Sequence, residues 1–301
     1  MYYEQEMTQQ DIAEALGMSR VKIYRLLKQA RDEQVVRIVI DYPIKRHTRL
    51  EAQMCQRFGL KSACILKNGA GGDPTRALQR VAQMAARYLE ELLQPGTTLA
   101  VCLGRAAYEV INAVRPDLQA GVRVAQAMGG FSADDHLDSN ALARLLARKI
   151  DGEVYYLLAP LAVNDAAAAA MLRRQGEIQR TLAIARVADI ALFGVGGLDP
   201  QTSKLVQSGY LSADELAQLG AEGAAGDIAG QFFTLDGKLH PCAFNERLIS
   251  LTLDELRHIP TTIAVALGPD KVLPLLGALR TGSVNVLATD EATAAAVLER
   301  S

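Results

Sequence analysis

The chain contains few of the residues that mark metal-binding and disulfide-rich proteins. Its 301 residues include four cysteines and four histidines, and there is no tryptophan. Cys55, Cys64, Cys102 and Cys242 are scattered, without a Cys-x-x-Cys pair or paired histidines nearby. A zinc site or a disulfide framework is therefore not expected, and the sequence predicts neither a metal nor a cofactor.

Long apolar runs and an excess of one charge are also missing. No apolar run is long enough to span a membrane and no signal peptide is recognisable, which predicts a cytoplasmic protein with no membrane partner. The formal net charge is only −2, so any surface that binds nucleic acid must be local. Half of the residues are hydrophobic and 22% are charged, as in ordinary globular proteins, and the length suggests two domains.

Near its start, the chain has a pattern of two short helices joined by a tight turn, over Thr8–Arg31. The first helix has one apolar side, which is made by Ile12, Ala13 and Leu16. Gly17 can adopt the left-handed conformation that ends a helix, and Ser19 suits the N-cap of the next helix. The second helix is predicted to bury one stripe with helical spacing: Ile23, Leu26, Leu27 and Ala30.

The rest of the second helix is basic. Between Ser19 and Arg31 there are five basic residues and no acidic residue. This pattern is typical of a helix-turn-helix whose second helix enters the major groove of DNA. The residues predicted to contact DNA are Ser19, Arg20, Lys22, Tyr24, Arg25 and Lys28. The alternative is a helical hairpin with a solvated charged face, although such faces usually mix charges of both signs.

The predicted DNA-binding domain covers residues 1–45. A three-helix unit needs a further first helix, of which only Tyr2 and Tyr3 could form the end, so we expect that the chain begins late or that its start is truncated. The β-branched run Val35–Ile40 predicts a strand, either the wing of a winged helix or a structural edge. A linker with a short helix is predicted over residues 46–60.

Short apolar runs alternate with helical stretches from residue 61 onwards. The predicted strands are Ala63–Leu66, Leu99–Leu103, Val122–Ala127, Val154–Leu158, Ile190–Val195, Thr262–Leu267 and Val284–Ala288. The predicted helices are Arg76–Leu93, Ala106–Val114, Ser139–Ile150, Ala166–Ile184, Ser212–Leu219, Lys271–Leu279 and Ala292–Glu299. The alternation predicts an α/β domain over residues 61–301, with a doubly wound, mostly parallel sheet that helices cover on both faces.

Glycines follow four of these predicted strands, at the sheet edge where parallel α/β proteins bind ligands. They are Gly104, the pair Gly129-Gly130, the group Gly194, Gly196 and Gly197, and Gly268. A glycine lets a ligand approach the backbone amides, and a helix that starts there favours an anion. A glycine after a strand is also ordinary turn chemistry, but four at equivalent places favour a crevice for a small anion.

Three charged residues stand near these turns. Arg105 could clamp a phosphate or could pair on the surface with Glu109, one turn further on. Asp227 could hold hydroxyl groups of a ligand or could cap a turn. Lys271 opens a predicted helix, where the helix dipole disfavours a cation unless an anion lies nearby; the alternative is a solvated surface lysine.

Ordered motifs over nearly the whole chain resemble those of the SorC-type (sugar-binding) transcriptional regulators. The N-terminal match runs from Tyr2-Tyr3-Glu4 through Thr8-Gln9 and Ile12-Ala13 to Ser19-Arg20. The later matches are ADIAL and GVG within 188–196, SGYLS at 208–212, GDIAG at 226–230, FF at 232–233, DGK at 236–238, GPDK at 268–271, ALR at 278–280 and LATDEATA at 287–294.

The resemblance implies a regulator of a carbohydrate-utilisation operon that binds operator DNA and forms a homo-oligomer, a dimer or a tetramer. It also implies an effector domain similar in fold to sugar-phosphate isomerases and glucosamine-phosphate deaminases. The implied effector is a phosphorylated sugar or polyol, with its phosphate at Gly104-Arg105-Ala106. The full set of predicted effector residues is Gly104, Arg105, Ala106, Gly129, Gly130, Gly196, Asp227 and Lys271. Many members of the family carry Thr or Ser where this chain has Ala106 and Ala107, which leaves backbone amides and Arg105 to hold the phosphate.

Two alternatives to an effector-controlled regulator remain open. One is a sugar-phosphate isomerase or deaminase with an added DNA-binding domain, which would need a carboxylate or histidine as a base. Asp134-Asp135-His136 is the one local cluster of that kind, and it also suits a helix cap. The other is a DNA-binding protein that has lost control by a ligand. We predict no catalytic residue and no enzymatic activity.

Overall fold

The computed structural model describes residues 1–3, 5–32, 35, 44–67, 73–102, 104–116, 118, 120–130 and 139–301. The chain divides into two units, residues 1–43 and residues 44–301. The predicted strand Val35–Ile40 lies, except for Val35, outside the described residues.

Two helices form the described part of the smaller unit, α1 (Gln9–Leu16) and α2 (Arg20–Asp32). The Thr8 side chain caps α1 by accepting the Asp11 amide, and Gly17 ends this helix with a φ of 62°. Ile12, Ala13 and Ile23 form the buried cluster between the two helices. The predicted stripe on α2 is only partly buried, because Leu26 is 45% exposed.

Seven described strands of the larger unit form one parallel sheet. They are β1 (Ser62–Leu66), β2 (Thr98–Val101), β3 (Arg123–Gln126), β4 (Glu153–Tyr155), β5 (Ile190–Gly194), β8 (Thr261–Val265) and β9 (Val286–Asp290). Their order across the sheet is β1-β9-β8-β5-β2-β3-β4. The strands β6 (Ala224–Ile228) and β7 (Gln231–Thr234) pair with each other in an antiparallel ribbon. The predicted parallel α/β arrangement is confirmed.

Helices of the larger unit connect these strands. They are α3 (Thr48–Phe58), α4 (Pro74–Leu92), α5 (Arg105–Ala113), α6 (Ser139–Lys149), α7 (Ala166–Arg173), α8 (Gly176–Arg186), α9 (Lys204–Gln207), α10 (Ala213–Ala221), α11 (Ala243–Glu246), α12 (Leu253–Arg257), α13 (Val272–Arg280) and α14 (Glu291–Glu299), with a 3-10 turn at Pro269–Lys271. Within the described ranges, none of the helices has the length and apolar character needed to cross a membrane.

Two segments differ from the sequence-based description. The predicted helix Ala166–Ile184 is broken into α7 and α8, because Gln175 has an extended backbone with a ψ of 135°. Residues 46–60, described from the sequence as a linker with a short helix, form α3 and pack into the larger unit. Met54 of this helix is fully buried in the core.

The strands are buried on both faces of the sheet. In β5, for example, Ala191 and Phe193 belong to one apolar cluster, while Ile190 and Leu192 belong to the cluster on the opposite face. Strands covered on both faces read as continuous apolar runs, which explains the pattern in the sequence. Burial of each large apolar side chain stabilises the fold by about 1.5–3 kcal/mol.

The strand order reverses between β2 and β5. From β2 the chain adds β3 and β4 towards one edge of the sheet, and from β5 it adds β8 and β9 towards the other. In open α/β sheets, the crevice outside the carboxyl ends of the strands at such a switch point is the usual ligand site. The topology therefore predicts a ligand site among the residues that follow β2 and β5.

Candidate functional site

A cleft of about 680 Å³ opens at the carboxyl ends of the central strands of the larger unit. Cys102 and Gly104 line it after β2, and residues 194–197 line it after β5. Residues 265–271 contribute after β8, and Asp290 contributes at the end of β9. The volume lies in the range of small-molecule sites, and the place is the one that the strand order indicates.

Six of the eight predicted effector residues line this cleft. They are Gly104, Arg105, Ala106, Gly196, Asp227 and Lys271. The pair Gly129-Gly130 is not among its lining residues. A Cβ atom on Gly129 would lie 2.3 Å from the Pro160 carbonyl oxygen, and the Gly130 amide donates to the Ala159 carbonyl at 2.8 Å. These two glycines therefore pack the end of β3 against the loop after β4.

The N-terminus of α5 forms one end of the cleft. Gly104 is its N-cap residue, and no side chain of the described residues caps this end of the helix. The first amides of a helix have no partner within the helix, so they are available to an anion. The methyl group of Ala106 packs against Gly194, where an added Cβ would lie 3.3 Å from it. The start of α5 thus lies directly on the glycine turn after β5.

Arg105 is exposed beside this helix terminus. Burial raises the pKa of the Glu109 carboxyl, and the Arg105 guanidinium together with a hydrogen bond to Gln79 opposes this rise. Arg105 therefore interacts with Glu109, as the surface-pair alternative predicted, while it also lines the cleft. The two interpretations of Arg105 do not exclude each other.

Asp227 stands against the backbone of Gly196 on another side of the cleft. The Gly196 amide donates to the Asp227 carbonyl at 2.8 Å, and the Asp227 amide donates to the Gly196 carbonyl at 3.2 Å. A Cβ atom on Gly196 would lie 1.7 Å from Oδ1 of Asp227. Only glycine therefore leaves room for the carboxylate, whose Oδ2 accepts the Gly230 amide at 3.2 Å.

Burial and the charge of Lys271 act in opposite directions on the pKa of Asp227. Burial raises the pKa of Asp227 from 3.8 to about 6, while the Lys271 ammonium and the Gly230 amide act in the opposite direction. The Lys271 Nζ lies 3.6 Å from the Asp270 carboxylate, and its side chain is 19% exposed. An acceptor and a donor thus share one side of the cleft, an arrangement that suits recognition of hydroxyl groups.

Sequence reasoning missed several residues that line the cleft. Asp73 and Asp290 cap α4 and α14, and their positions before helices were the available signal. The polar stretch 201–207 had no signal, because it reads as an ordinary loop. Cys102 is buried in the cleft, and burial raises the pKa of its thiol to about 12, so the thiol stays protonated and is a poor nucleophile.

The six residues predicted to contact DNA lie on or beside α2 and are all exposed. The Lys22 amide donates to the Ser19 hydroxyl at 3.2 Å, which confirms Ser19 as a capping residue. Tyr24 is 51% exposed despite its size.

The cluster Asp134-Asp135-His136, which the enzyme alternative would need, lies outside the described residues.

Comparisons with known proteins give consistent results. A family model described as a putative sugar-binding domain matches residues 42–299. The chain is 34% identical to the transcriptional regulator LsrR of Klebsiella pneumoniae, over 99% of this chain and 90% of that protein. The crystal structure of the full-length sorbitol operon regulator SorC from Klebsiella pneumoniae has a TM-score of 0.76 and 27% identity, and the match covers 99% of this chain and 96% of that one. A putative sugar-binding domain of a transcriptional repressor from Vibrio fischeri has a TM-score of 0.77 and 32% identity, over 84% of this chain and 98% of that chain.

Proposed function

Because this chain belongs to the SorC-type family of sugar-binding transcriptional regulators, we propose that it binds operator DNA through α2 and a phosphorylated sugar or polyol in the cleft. The proposal that the cleft binds this ligand rests on one observation. The cleft combines a helix N-terminus without a side-chain cap at one end with a carboxylate and an ammonium group on another side.

The phosphate is held at the N-terminus of α5. The helix dipole places about half a positive charge there, and the free amides donate hydrogen bonds to phosphate oxygens. The Arg105 guanidinium supplies a cation, as arginine does in many phosphate sites. Since Ala106 and Ala107 carry no hydroxyl group, the amides and Arg105 hold the phosphate alone.

The hydroxyl groups of the ligand are held by Asp227 and Lys271. An ionised carboxylate accepts hydrogen bonds from hydroxyl groups, and the ammonium donates to their oxygen atoms. The close contact between Gly196 and Asp227 fixes the carboxylate at the cleft surface. This pairing favours a ligand with several hydroxyl groups over a simple anion.

The operator is read by the exposed face of α2. An arginine that contacts guanine with two hydrogen bonds discriminates against other bases by about 1–3 kcal/mol. Contacts with phosphates make the affinity fall steeply with salt. A dimer or tetramer presents two such helices to half-sites about one turn of DNA apart.

The effector controls operator binding if it binds the DNA-bound and the DNA-free forms of the protein with different affinities. Each tenfold change in operator affinity requires ~1.4 kcal/mol of difference between these two binding free energies.

A thermal-shift screen against phosphorylated and free sugars and polyols tests the ligand half. We expect a phosphorylated compound to raise the Tm of the wild-type protein, and the shift to disappear in Asp227→Ala and Lys271→Ala. Lys238→Ala is the matched control, since Lys238 is a surface lysine paired with Asp236 and does not line the cleft. Hits with free sugars only would contradict a phosphate site at Gly104, and no hit at all would favour a regulator without a ligand.

The DNA half is tested with a site selected from a pool of random duplexes. Arg25→Ala should weaken binding to the selected site and relax base preference at one position, with the ligand-induced thermal shift unchanged. Arg174→Ala removes one exposed positive charge outside α2 and serves as the control. Unchanged affinity and specificity in Arg25→Ala would rule out Arg25 as a reader of the operator.

A further inference from the structure

One wall of the cleft is made by residues 201–207, which include α9. The members that line the cleft are Gln201, Thr202, Ser203, Lys204, Leu205 and Gln207. We call this segment the cleft wall. Leu205 anchors the wall in the core with 7% of its surface exposed, and the Gln207 side chain donates to the Gln201 carbonyl at 2.8 Å. The wall is therefore an ordered element.

Tyr210 follows the wall, and the way in which α9 ends fixes its backbone. Gly209 adopts a φ of 73°, and its amide donates to the Val206 carbonyl at 3.0 Å. The Tyr210 amide donates to the Leu205 carbonyl at 2.9 Å. This is a left-handed glycine cap, which couples the position of Tyr210 to that of the wall. Tyr210 belongs to the motif SGYLS, whose role the proposed function leaves open.

The Tyr210 hydroxyl crosses to the loops that follow β3 and β4. It donates to the Gly130 carbonyl at 3.0 Å and accepts the Leu161 amide at 3.1 Å. Leu161 is fully buried and itself lines the cleft. One hydroxyl group thus joins the cleft wall to two loops that leave the sheet at the same edge.

The backbone of these loops does not need the hydroxyl to satisfy its own hydrogen bonds. The Leu161 amide also donates directly to the Gly130 carbonyl, at 3.1 Å. Removal of the hydroxyl therefore leaves both groups paired with each other, so no buried polar group loses its last partner. What the hydroxyl adds is the connection between the loops and the wall.

We propose that Tyr210 is a positioning residue whose hydroxyl holds the cleft wall against the loops after β3 and β4, and so sets how firmly the cleft closes on its ligand. The inference deepens the proposed function and rests on it, since it takes the cleft as the ligand site. The N-terminus of α5 belongs to a different element, so the phosphate end does not depend on this connection.

Hydrogen exchange of the full chain without ligand, measured by mass spectrometry, tests the connection directly. In Tyr210→Phe we expect amides of residues 201–211 to exchange about five- to tenfold faster, from the loss of one net hydrogen bond, with the rest of the chain unchanged. The Tm should fall by no more than about 2–4 °C. Tyr155→Phe is the control, because its hydroxyl contacts only the neighbouring Glu153 carboxylate, at 2.9 Å, among the hydrogen bonds described. Exchange in the wall of Tyr210→Phe equal to that of the wild type would overturn the proposal.

Calorimetric titration with two probes separates a positioning role from general damage. Inorganic phosphate needs only the end of the cleft at α5, so its affinity should be the same in Tyr210→Phe and the wild type. Sorbitol 6-phosphate extends from that end, and its affinity should fall about five- to tenfold. An equal loss for both probes would overturn the proposal. A wild-type protein that binds neither probe would contradict a phosphate site at the N-terminus of α5, while the exchange measurement would still decide the role of Tyr210.

Discussion

At the scale of single residues, the most constrained position in the cleft is Gly196. Gly196→Ala should abolish ligand binding, because the new Cβ would displace the Asp227 carboxylate, and overpacking should cost about 1–3 kcal/mol in the free energy of unfolding. Urea denaturation and the thermal-shift screen measure the two effects. Gly176→Ala is the matched control, since a Cβ there meets no atom of the described residues within 4 Å. A Gly196→Ala protein that binds ligand normally would show that the carboxylate can move at little cost.

Asp227 predicts a pH dependence with a definite sign. Burial raises its pKa from 3.8 to about 6, so between these values the folded protein holds a proton that the unfolded chain has lost. The free energy of unfolding therefore falls as the pH rises through this range, and Asp227→Asn removes that fall. The difference in Tm between Asp227→Asn and the wild type (variant minus wild type) should therefore be more positive at pH 8 than at pH 5.

Asp236→Asn provides the control for this pH dependence. Hydrogen bonds to Lys238 and Thr234 lower the pKa of Asp236 from 3.8 to about 2, so its contribution changes only below pH 4. The Tm difference between Asp236→Asn and the wild type should be the same at pH 5 and pH 8. Equal behaviour of the two variants would show that Asp227 is ionised throughout.

At the scale of elements, the two ends of α5 lie in different surroundings. Its N-terminus faces the cleft, and its C-terminal carbonyls receive a buried ammonium group from α6. The Lys149 Nζ donates to the carbonyls of Ile111, Asn112 and Val114 at 2.9, 2.6 and 2.8 Å. A cation at this end complements the helix dipole and satisfies carbonyls that have no partner within the helix.

Lys149→Met should therefore destabilise the fold, although methionine fills much of the same space. Loss of a buried donor that serves three carbonyls should lower the free energy of unfolding by about 3 kcal/mol or more. Arg148→Met, at the exposed neighbouring position, should change it by less than about 0.5 kcal/mol. Denaturation curves of both variants make the comparison, and equal stabilities would show that the three hydrogen bonds contribute nothing net.

Elements and cleft residues were predictable from the sequence to different degrees. Apolar runs indicated the strands, because burial on both faces leaves little room for polar residues. Glycines at strand ends indicated Gly104 and Gly196, but the same signal at Gly129 arises from loop packing against Pro160. The cleft wall could not be predicted from the sequence, since its polar residues have no periodicity. The exposure of Leu26 was also unforeseen, because α1 covers only part of the predicted stripe.

At the scale of the whole molecule, the division at residue 43 predicts separable activities. A fragment of residues 44–301 should fold and keep the ligand-induced thermal shift, because every residue that lines the cleft belongs to this unit. The related domain from Vibrio fischeri, whose structure matches 84% of this chain, supports independent folding. The fragment should lose binding to the selected DNA site. A fragment that fails to fold, or that still binds this DNA with normal affinity, would contradict the division of roles.

The pairing of β1 with β9 has a consequence for the protein during its synthesis. Ser62 at the start of β1 pairs with Val286 of β9, so the first strand of the sheet cannot pair until the last strand has been synthesised. At 5–20 residues per second, the ribosome needs roughly 10–45 s to travel between them. Throughout that interval β1 has no neighbouring strand to pair with, because β9 is its neighbour in the described sheet, and the cleft lacks Asp290 and Ala292. A polypeptide that ends before Val286 therefore lacks the strand that pairs with β1, together with the cleft residues Asp290 and Ala292.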